Sequence, residues 1–430
     1  MHVLFLSDNF VPETNAPATR LHEHARRWVE AGHRVTVVTC APNFPAGRVF
    51  DGYQNRWYAR EQIDGIDVVR VKSYIAPNTG RIRRTLDYLS FLISGLVGAL
   101  FQKRVDVVVA TSPQFFCACA GWAAAALKRK PFVFELRDLW PASISAVGAA
   151  RKGSLALRAL ERVELFLYAR ATAIVAVTHS FRRDLAARGV DPAKVHVVTN
   201  GVDLARYAPR PKDAQLERAL GLEGRFVVGY LGTHGLSHAL ENVLEAAERL
   251  RGREEVRFLF MGDGAAKAGL QEEARRRGLT NVLFHPPVEK DAMPRAWSLC
   301  DLALVHLKNT PVFETVIPSK IFEAMGMGRA VLLAAPEGEA SAIVRGADAG
   351  LCVPAEDAEQ LAAAVERMLD EPALRQRAAD ASAAAAPGYG RDALARDMLA
   401  VLLDSVGEPV PADAQQPSTA TPGVGLGRAA

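Results

Sequence analysis

The segment 318–331 carries residue types that can bind a phosphate and a neighbouring diol. Positions 318–323 read Pro-Ser-Lys-Ile-Phe-Glu, so Ser319 can cap a short helix that brings Lys320 and Glu323 to one face. The open N–H groups of a helix N-terminus attract phosphate, and a carboxylate one turn further in can accept both hydroxyls of a ribose. An ordinary capped helix with a surface lysine and glutamate has the same residues. This segment alone leaves both interpretations open.

Short apolar or β-branched runs alternate with helical stretches in two series along the chain. Such runs predict parallel strands covered by helices on both faces. The expected fold class is therefore α/β, with two Rossmann-like, doubly wound parallel-sheet domains facing a cleft and ligands at the carboxyl ends of the strands. The predicted strands cover 2–6, 34–39, 68–71, 105–110, 132–135, 173–177 and 195–198 in the first series, and 225–231, 256–260, 281–284, 302–306, 330–333 and 351–353 in the second.

The domain boundaries are placed where these series stop. We expect an N-terminal domain over 1–208, a second domain over 209–386, and a last helix over 387–406 that packs back on the N-terminal domain. From 407 to 430 the chain consists mostly of Pro, Gly, Ala, Ser, Thr and Gln. This composition is typical of a disordered tail.

Composition and charge exclude several classes of protein. A formal net charge of +4 over 430 residues, without dense Lys/Arg clustering, gives no reason to expect a nucleic-acid partner. The five cysteines are scattered without metal-ligand spacing, and no convincing Asp-x-Asp motif occurs, so we expect reduced thiols, no metal and no cofactor. The N-terminus lacks the basic head and cleavage site of a signal peptide, which favours a cytoplasmic location.

The longest uncharged apolar run covers Leu89–Phe101. Crossing a bilayer takes about 20 residues, so this run is too short for a transmembrane helix. It predicts a buried helix of the first domain or, alternatively, a helix that makes peripheral contact with the inner membrane through basic flanks. Those flanking residues are Arg81, Arg83, Arg84, Lys103 and Arg104.

Several short motifs follow one another in an order typical of one enzyme family. They are Gly-His-Arg-Val-Thr-Val at 32–37, Arg-Asp-Leu-Trp-Pro at 137–141, Asn-Gly-Val-Asp at 200–203, Gly-Asp-Gly at 262–264, the strand and loop 282–288 before Met293 and Pro294, and Pro-Ser-Lys-x-x-Glu at 318–323. With them the chain resembles family 4 retaining glycosyltransferases of the GT-B fold. The last motif is typical of the branch that builds bacterial surface polysaccharides, which includes O-antigen, colanic-acid and fucosamine-transferase-like enzymes.

The resemblance implies a nucleoside-diphosphate sugar as donor and a glycan or lipid-linked acceptor, with retention at the anomeric carbon. Glu323 would hold the donor ribose, while Ser319 and Lys320 would lie at the diphosphate. Pro287 and Val288 would border the base. UDP is expected as the nucleotide because most of the resembling proteins use it.

The loop 232–238 departs from the family pattern. It reads Gly-Thr-His-Gly-Leu-Ser-His and lacks the basic residue that the family often places on the diphosphate. His238, which follows Gly235 in this loop, stands where a lysine is common, so a neutral or partly charged imidazole could substitute for it. Lys320 would then supply the missing positive charge. A surface histidine remains the alternative for His238.

A second departure concerns the sugar. The family's usual pair of glutamates would place Thr315 opposite Glu323, and Glu314 is one position off. Either the loop shifts to present Glu314 to the sugar or the contact is made differently. An N-acetylated or deoxy sugar, which offers fewer hydroxyls, would suit the loss of this acceptor.

The first domain offers further candidates. The loop after the first strand contains Asn15 but none of the glycines that the family has there. Arg20 could pair with phosphate or face solvent. Arg137 and Asp138 end a strand and are candidates, with Lys320, for catalysis through acceptor binding or proton handling. A salt-bridged strand end is the alternative.

Other functions share this architecture. A sugar-nucleotide epimerase would use the same diphosphate site without an acceptor, and a catalytically degenerate binding subunit would keep only part of it. A dinucleotide-dependent oxidoreductase is less consistent with the sequence, because no Gly-x-Gly-x-x-Gly follows the first strand.

Overall fold

The computed structural model describes residues 1–75, 81–112, 114–139 and 155–411. The chain divides into two compact units. Of the described residues, the first unit contains 1–199 and 394–411, and the second contains 200–393. The division therefore falls after Thr199, whereas the sequence pattern placed it after residue 208. The expected tail beyond residue 411 lies outside the described residues.

The sheet of the first unit has eight strands in the described chain. Their order is β3-β4-β2-β1-β5-β6-β7-β8, and the edge strand β3 is antiparallel to β4 while the other pairs are parallel. Without β3 this is the doubly wound order 3-2-1-4-5-6 extended by one strand. The strands are β1 His2–Leu6, β2 Arg34–Cys40, β3 Tyr58–Ile63, β4 Ile66–Val71, β5 Val107–Thr111, β6 Phe132–Leu136, β7 Ala173–Ala176 and β8 Val195–Val197.

Helices cover both faces of this sheet. They are α1 Ala16–Glu30, α2 Arg81–Leu100, α3 Phe115–Lys128, α4 Leu155–Arg170 and α5 His179–Ala187. Leu394, Met398 and Leu402 of the last helix, Arg391–Val406, join α1 in one of the two hydrophobic clusters. The indole Nε1 of Trp28 donates a hydrogen bond to the Ala395 carbonyl at 2.9 Å. The last helix thus belongs mainly to the first unit.

The second unit has a six-stranded, all-parallel sheet within the described chain. Its order, β11-β10-β9-β12-β13-β14, is the Rossmann order 3-2-1-4-5-6, so the switch point lies between β9 and β12. The strands are β9 Phe226–Leu231, β10 Val256–Met261, β11 Val282–His285, β12 Leu302–His306, β13 Ala330–Ala334 and β14 Gly350–Val353. The helices of this unit are α6 Ala214–Ala219, α7 Glu241–Arg249, α8 Lys267–Arg276, α9 Met293–Leu299, α10 Ser319–Gly326, α11 Glu339–Gly346, α12 Ala358–Asp370 and α13 Pro372–Ala385. The last helix of the described chain, Arg391–Val406, is α14 and belongs mainly to the first unit.

The prediction of two Rossmann-like α/β domains is confirmed. Among the described residues the five cysteines are free thiols, and no group of three or more His, Cys, Asp or Glu could hold a metal ion. Burial raises the pKa of the Cys300 thiol to about 12, so this group is an unreactive core residue. No helix in the described part of the chain is both long and apolar enough to cross a bilayer.

Candidate active site

The candidate site lies at the switch point of the second sheet. The loop 232–238 follows β9, and α10 carries the residues of the Pro-Ser-Lys-x-x-Glu motif. Strand ends at a switch point leave a crevice for a ligand, because the chain departs in opposite directions on the two sides. The motif residues and the loop therefore lie where doubly wound sheets bind ligands.

Glycines make the close packing of this loop feasible. Gly232 and Gly262 have φ of +121° and +151°, and a Cβ on Gly262 would lie 1.8 Å from the Gly232 carbonyl oxygen. A Cβ on Gly264 would lie 2.4 Å from the carbonyl oxygen of His234. Only glycine fits these positions, which bring the loop after β9 against the loop after β10.

Lys320 is the central cation of the site. Its Nζ is shielded from solvent and has no hydrogen-bond partner among the described residues. It lies 3.4 Å from the ring centroid of Tyr230, and its Cε would be 2.9 Å from a Cβ on Gly232. Burial lowers the pKa of Lys320 to about 7, against the opposing charge of Glu323. Within the described chain the ammonium contacts the Tyr230 ring and is attracted by Glu323, and its N–H donors remain available to an anion.

Glu323 lies one turn further along α10 and is held in place by a tryptophan. The buried Trp297 donates its indole N–H to Oε2 of Glu323 at 3.0 Å. Burial raises the pKa of Glu323, while the Trp297 hydrogen bond and the Lys320 charge oppose that shift. Lys320 and Glu323 thus form an electrostatic pair on one face of α10, as the spacing predicts. The carboxylate keeps lone pairs for a diol.

Ser319 does not cap α10, which corrects the sequence-based expectation. Pro318 is the N-cap residue, with φ −65° and ψ 127°, and no side chain accepts a hydrogen bond at this terminus. Ser319 is the first helical residue and is exposed. A proline at the cap fixes the backbone angle without a polar side chain of its own, so the first turn of α10 is not blocked by a capping group.

The His238 ring lies against the end of β12 instead of lying free on the surface. Its Nδ1 lies 3.2 Å from the His306 carbonyl oxygen, and Nδ1 of His306 lies 2.7 Å from the His238 carbonyl oxygen. Burial and then the charge of Lys320 lower the pKa of His238 below its ordinary value. His238 is half-buried and anchors the loop to β12, whereas Gly235 in the same loop has an ordinary φ of −96°.

His234 is a site residue that the sequence pattern did not indicate. It is fully buried, and neither ring nitrogen has a hydrogen-bond partner among the described residues. The rings of Tyr230, Phe260 and Phe284 lie 5.8–6.4 Å from it. Burial lowers the pKa of His234 to about 4, so it is a neutral support beneath the loop. A histidine between glycines resembles an exposed loop residue, and no local signal predicts its burial.

The residues expected near the base follow β11. Pro287 is exposed and Val288 is half-buried. Val288 packs against the hydrophobic cluster that contains Trp297 and Ile321. The structure therefore connects Val288 with the tryptophan that positions Glu323, while Pro287 remains open to solvent.

Glu314 and Thr315 lie in a 3-10 helix, Pro311–Thr315. The Glu314 side chain is exposed, and its carbonyl oxygen would be 2.0 Å from a Cβ on Gly338. The Thr315 hydroxyl donates a hydrogen bond to the Val312 carbonyl at 3.1 Å. Glu314 is exposed and Thr315 is half-buried.

In the first unit, two candidates have structural roles. Asn15 caps α1, its Oδ1 accepting from the Ala18 N–H at 3.0 Å. Arg20 is buried and paired with the buried Glu135 at 2.9 Å. It also donates to the Thr199 and Val198 carbonyls. Both earlier interpretations of Arg20, a phosphate ligand and a solvent-facing residue, are therefore wrong.

Arg137 and Asp138 follow β6. The N–H groups of both residues donate to the Ser112 hydroxyl, at 2.8 and 3.2 Å. Nε of Arg137 is shielded and has no partner among the described residues. Burial lowers the pKa of Arg137 to about 10, with the carboxylate of Glu135 opposing the shift. Arg137 thus remains a candidate for binding an anion or hydroxyl. The Trp140 and Pro141 of this motif lie outside the described residues.

The sequence matches two families of known enzymes. Residues 17–206 match the family described as Glycosyltransferase Family 4. Residues 225–371 match the family described as Glycosyl transferases group 1. The two matches cover most of both units.

Individual relatives agree with these families. The chain is 28% identical over 382 residues to the putative colanic acid biosynthesis glycosyl transferase WcaI of Escherichia coli K12, covering 86% of this chain and 92% of WcaI. It is 26% identical over 275 residues to the probable glycosyltransferase WbjE of Pseudomonas aeruginosa, covering 63% of this chain and 66% of WbjE. The crystal structure of Anabaena HepE in complex with UDP-glucose has a TM-score of 0.69 at 19% identity, covering 94% of this chain and 100% of HepE.

Proposed function

Because this chain belongs to glycosyltransferase family 4, we propose that it transfers a sugar from a UDP-sugar to a lipid-linked glycan, with retention at the anomeric carbon. The chain is a nucleotide-sugar-dependent glycosyltransferase of the bacterial surface-polysaccharide type, with the GT-B fold. The proposal adds the donor, the stereochemistry and the acceptor. It places the reaction in the cytoplasm, which suits the free, dispersed cysteines.

The observation that carries the proposal is the buried, unpartnered Nζ of Lys320. A buried ammonium without hydrogen bonds is costly, so a chain that keeps one at a ligand-binding edge supports binding of an anion there. Lys320 lies against Gly232, whose lack of a side chain leaves room for the lysine stem beside the loop backbone. We assign this position to the donor diphosphate.

Glu323 is proposed to hold the ribose. The Trp297 hydrogen bond fixes the orientation of its carboxylate, so the remaining lone pairs can accept the two ribose hydroxyls. Pro287 and Val288, after the neighbouring β11, are proposed to border the base. Val288 packs on the same cluster as Trp297, which supports the idea of one continuous nucleoside site.

The proposed reaction has a demanding electrostatic step. The acceptor oxygen bonds to the anomeric carbon on the face from which the nucleoside diphosphate leaves, and the departing β-phosphate takes the acceptor's proton. Negative charge builds on that phosphate, and a fixed cation together with helix N–H groups stabilises it without a metal ion. Lys320 and the uncapped first turn of α10 are proposed for this role, and His238 contributes as a neutral loop anchor.

The donor sugar is proposed to be N-acetylated or deoxygenated. The Thr315 hydroxyl donates to the Val312 carbonyl, and Glu314 is exposed one position away from the family's usual glutamate. A sugar that presents fewer hydroxyls leaves fewer groups unpaired in such a site. We propose that Arg137 and Asp138 in the first unit bind the acceptor glycan.

A thermal-shift screen tests the donor assignment. The full chain is heated with UDP, GDP, ADP and TDP and with their common sugar conjugates. A ligand at 100 times its Kd adds about 2.7 kcal/mol to the stability of the folded state. For a unit of this size, that raises the melting temperature by at least about 5 °C.

Two variants make the screen decisive. Glu323→Ala should abolish the shift with the nucleoside diphosphate. Glu314→Gln, which alters an exposed carboxylate, should keep that shift and change only the ranking of the sugar conjugates. No shift with any nucleotide in the unaltered chain would refute the donor assignment.

A further inference from the structure

Helix α2 is apolar on its outer face as well as on its inner face. Phe91 and Ala99 are buried in the core of the first unit. The residues on the opposite side are spaced by three, four, four and three positions, so they form one stripe along the helix, and all are exposed. These residues are Leu86, Leu89, Ile93, Val97 and Leu100. A surface helix of a soluble domain normally has polar residues on this side.

A groove continues this stripe towards the edge of the sheet. It has a volume of about 710 Å³ and lies between α2 and the strands β3 and β4. Val71 and Tyr74 line one wall, and Ile93 and Val97 line the other. The volume falls within the range of about 300–1,000 Å³ typical of small-molecule sites.

Two aromatic rings stand exposed at this groove. Trp57 is 78% exposed and Phe101 is 65% exposed. Tyr58 lies edge-on to Phe101, with ring centroids 6.3 Å apart. Tryptophan and tyrosine are the side chains that concentrate at the boundary between lipid and water. The outer stripe of α2 and these aromatic residues are together called the α2 face.

Basic residues lie beside the α2 face. The segment 81–104 contains five basic residues and one acidic residue, Asp87, which accepts a hydrogen bond from Ser73 at 2.9 Å. Exposed Lys72 lies over the Trp57 ring with its Nζ 4.5 Å from the centroid. Exposed Lys103 follows Phe101. Each such cation near an anionic bilayer surface contributes about 1 kcal/mol, or roughly a fivefold gain in affinity.

We propose that the α2 face docks on an anionic lipid bilayer, with the groove accepting one lipid chain. The apolar stripe would enter the headgroup boundary while Lys72 and Lys103 meet the negative headgroups. This inference extends the proposed lipid-linked acceptor, because it supplies a surface that brings the enzyme to lipid. The inner side of α2 then corresponds to the buried helix expected for the run Leu89–Phe101, and its outer side to the alternative, a helix in contact with the membrane.

A second copy of the chain is the competing occupant. The 3-4-4-3 spacing would also suit a helix pair. A two-fold interface, however, brings identical patches together and would set the basic rims of two copies against each other. An anionic surface complements both the apolar stripe and its rim, and we therefore prefer the bilayer.

Vesicle co-sedimentation of the full chain tests the proposal. Vesicles of phosphatidylethanolamine with phosphatidylglycerol are compared with vesicles of phosphatidylcholine alone. The unaltered chain should bind the anionic vesicles preferentially. Ile93→Asp/Phe101→Asp should weaken binding at least about tenfold, because it places charges in the inserted stripe. Lys72→Gln/Lys103→Gln should weaken it about fivefold for each charge removed.

Leu155→Asp is the matched control. Leu155 is more exposed than Ile93 and Phe101 but begins α4, outside the α2 face, so its variant should bind like the unaltered chain. Loss of binding in this control, or undiminished binding of Ile93→Asp/Phe101→Asp, would overturn the proposal. So would failure of the unaltered chain to bind anionic vesicles. If the aspartate variant does not fold, the glutamine variant decides.

Two further readouts separate the alternatives. Light scattering of the chain in solution detects a dimer, and a dimer that Ile93→Asp/Phe101→Asp dissociates without any vesicle binding would assign the α2 face to a second copy. The nucleotide thermal shift is measured on the same variants and should be unchanged. Absence of the nucleotide thermal shift would contradict the donor assignment in the second unit without affecting the conclusion from vesicle binding.

Discussion

Two buried cations, one in each unit, have opposite surroundings. Arg20 is paired with Glu135 at 2.9 Å and also donates to two backbone carbonyls. Lys320 has no hydrogen-bond partner for its Nζ within the described chain, and this atom lies over the face of the Tyr230 ring. Both residues are plausible phosphate ligands from sequence alone. A buried cation whose donors are already used supports the fold, whereas one whose donors are unused is available to a ligand.

The largest effect is expected from Arg20→Met. Removing Arg20 leaves the buried Glu135 without its hydrogen-bonded counter-charge, and we expect the free energy of unfolding to fall by about 3–5 kcal/mol. Urea unfolding measures this. Arg26→Met on the same helix removes an exposed pair with Glu30 and should cost less than about 0.5 kcal/mol. An Arg20→Met variant as stable as the unaltered chain would contradict a stabilising role for the Arg20–Glu135 pair.

Lys320→Met should lower activity much more than stability, unlike Arg20→Met. Without the cation that faces the leaving phosphate, kcat should fall by about 10²–10³ in an assay of sugar transfer. The free energy of unfolding should change little, because Nζ makes no hydrogen bond within the described chain and the cost of its burial offsets its attraction to Glu323 and Tyr230. Lys267→Met is the contrast, since Nζ of Lys267 already donates to the Gly262 and His285 carbonyls and its loss should lower stability by about 1–3 kcal/mol.

The smallest expected effect is the pH dependence of donor binding, which tests whether Lys320 is the unpaired cation of the site. The pKa of Lys320 is lowered to about 7, and a bound diphosphate favours the charged form. Below about pH 7 the ammonium is already charged and binding takes up no proton. Above it the chain alone has lost that proton and must regain it on binding. UDP affinity should therefore fall as pH rises, by up to about tenfold per unit.

Calorimetry in two buffers of different ionisation enthalpy measures both the affinity and the proton uptake. Lys320→Met should bind weakly and without this pH dependence. A UDP affinity that stays constant from about pH 6.5 to 8.5 in the unaltered chain would contradict a titrating Lys320.

The strands of both sheets were predictable because a buried parallel strand is apolar along its whole length. The edge strand β3 was not, since Tyr58–Ile63 alternates between exposed and half-exposed residues. A signal for it does exist in the chain. Asp64 and Gly65 both have positive φ and join β3 to β4, and an Asp-Gly pair between two runs is typical of a hairpin turn.

The sequence predicted which residue types form the candidate site, but it did not predict their interaction partners. Lys320 and Glu323 share a helix, so their spacing alone places them on one face. Arg20 and Glu135 are 115 positions apart, and only the parallel packing of the first sheet brings them together. Trp297 is 26 positions from Glu323, and nothing in the local sequence connects them. Local patterns reveal which residues share an element, whereas long-range pairing decides which charges remain unused.

The contact between Gly232 and Lys320 has an evolutionary consequence. A side chain at 232 would occupy the space that the lysine stem fills, with 2.9 Å between a Cβ and Lys320 Cε. A descendant that gains a side chain at 232 would have to move the end of the lysine side chain, in addition to straining the backbone at this positive φ. Covariation between these two columns is the trace that such a constraint would leave among relatives, with glycine retained wherever lysine is.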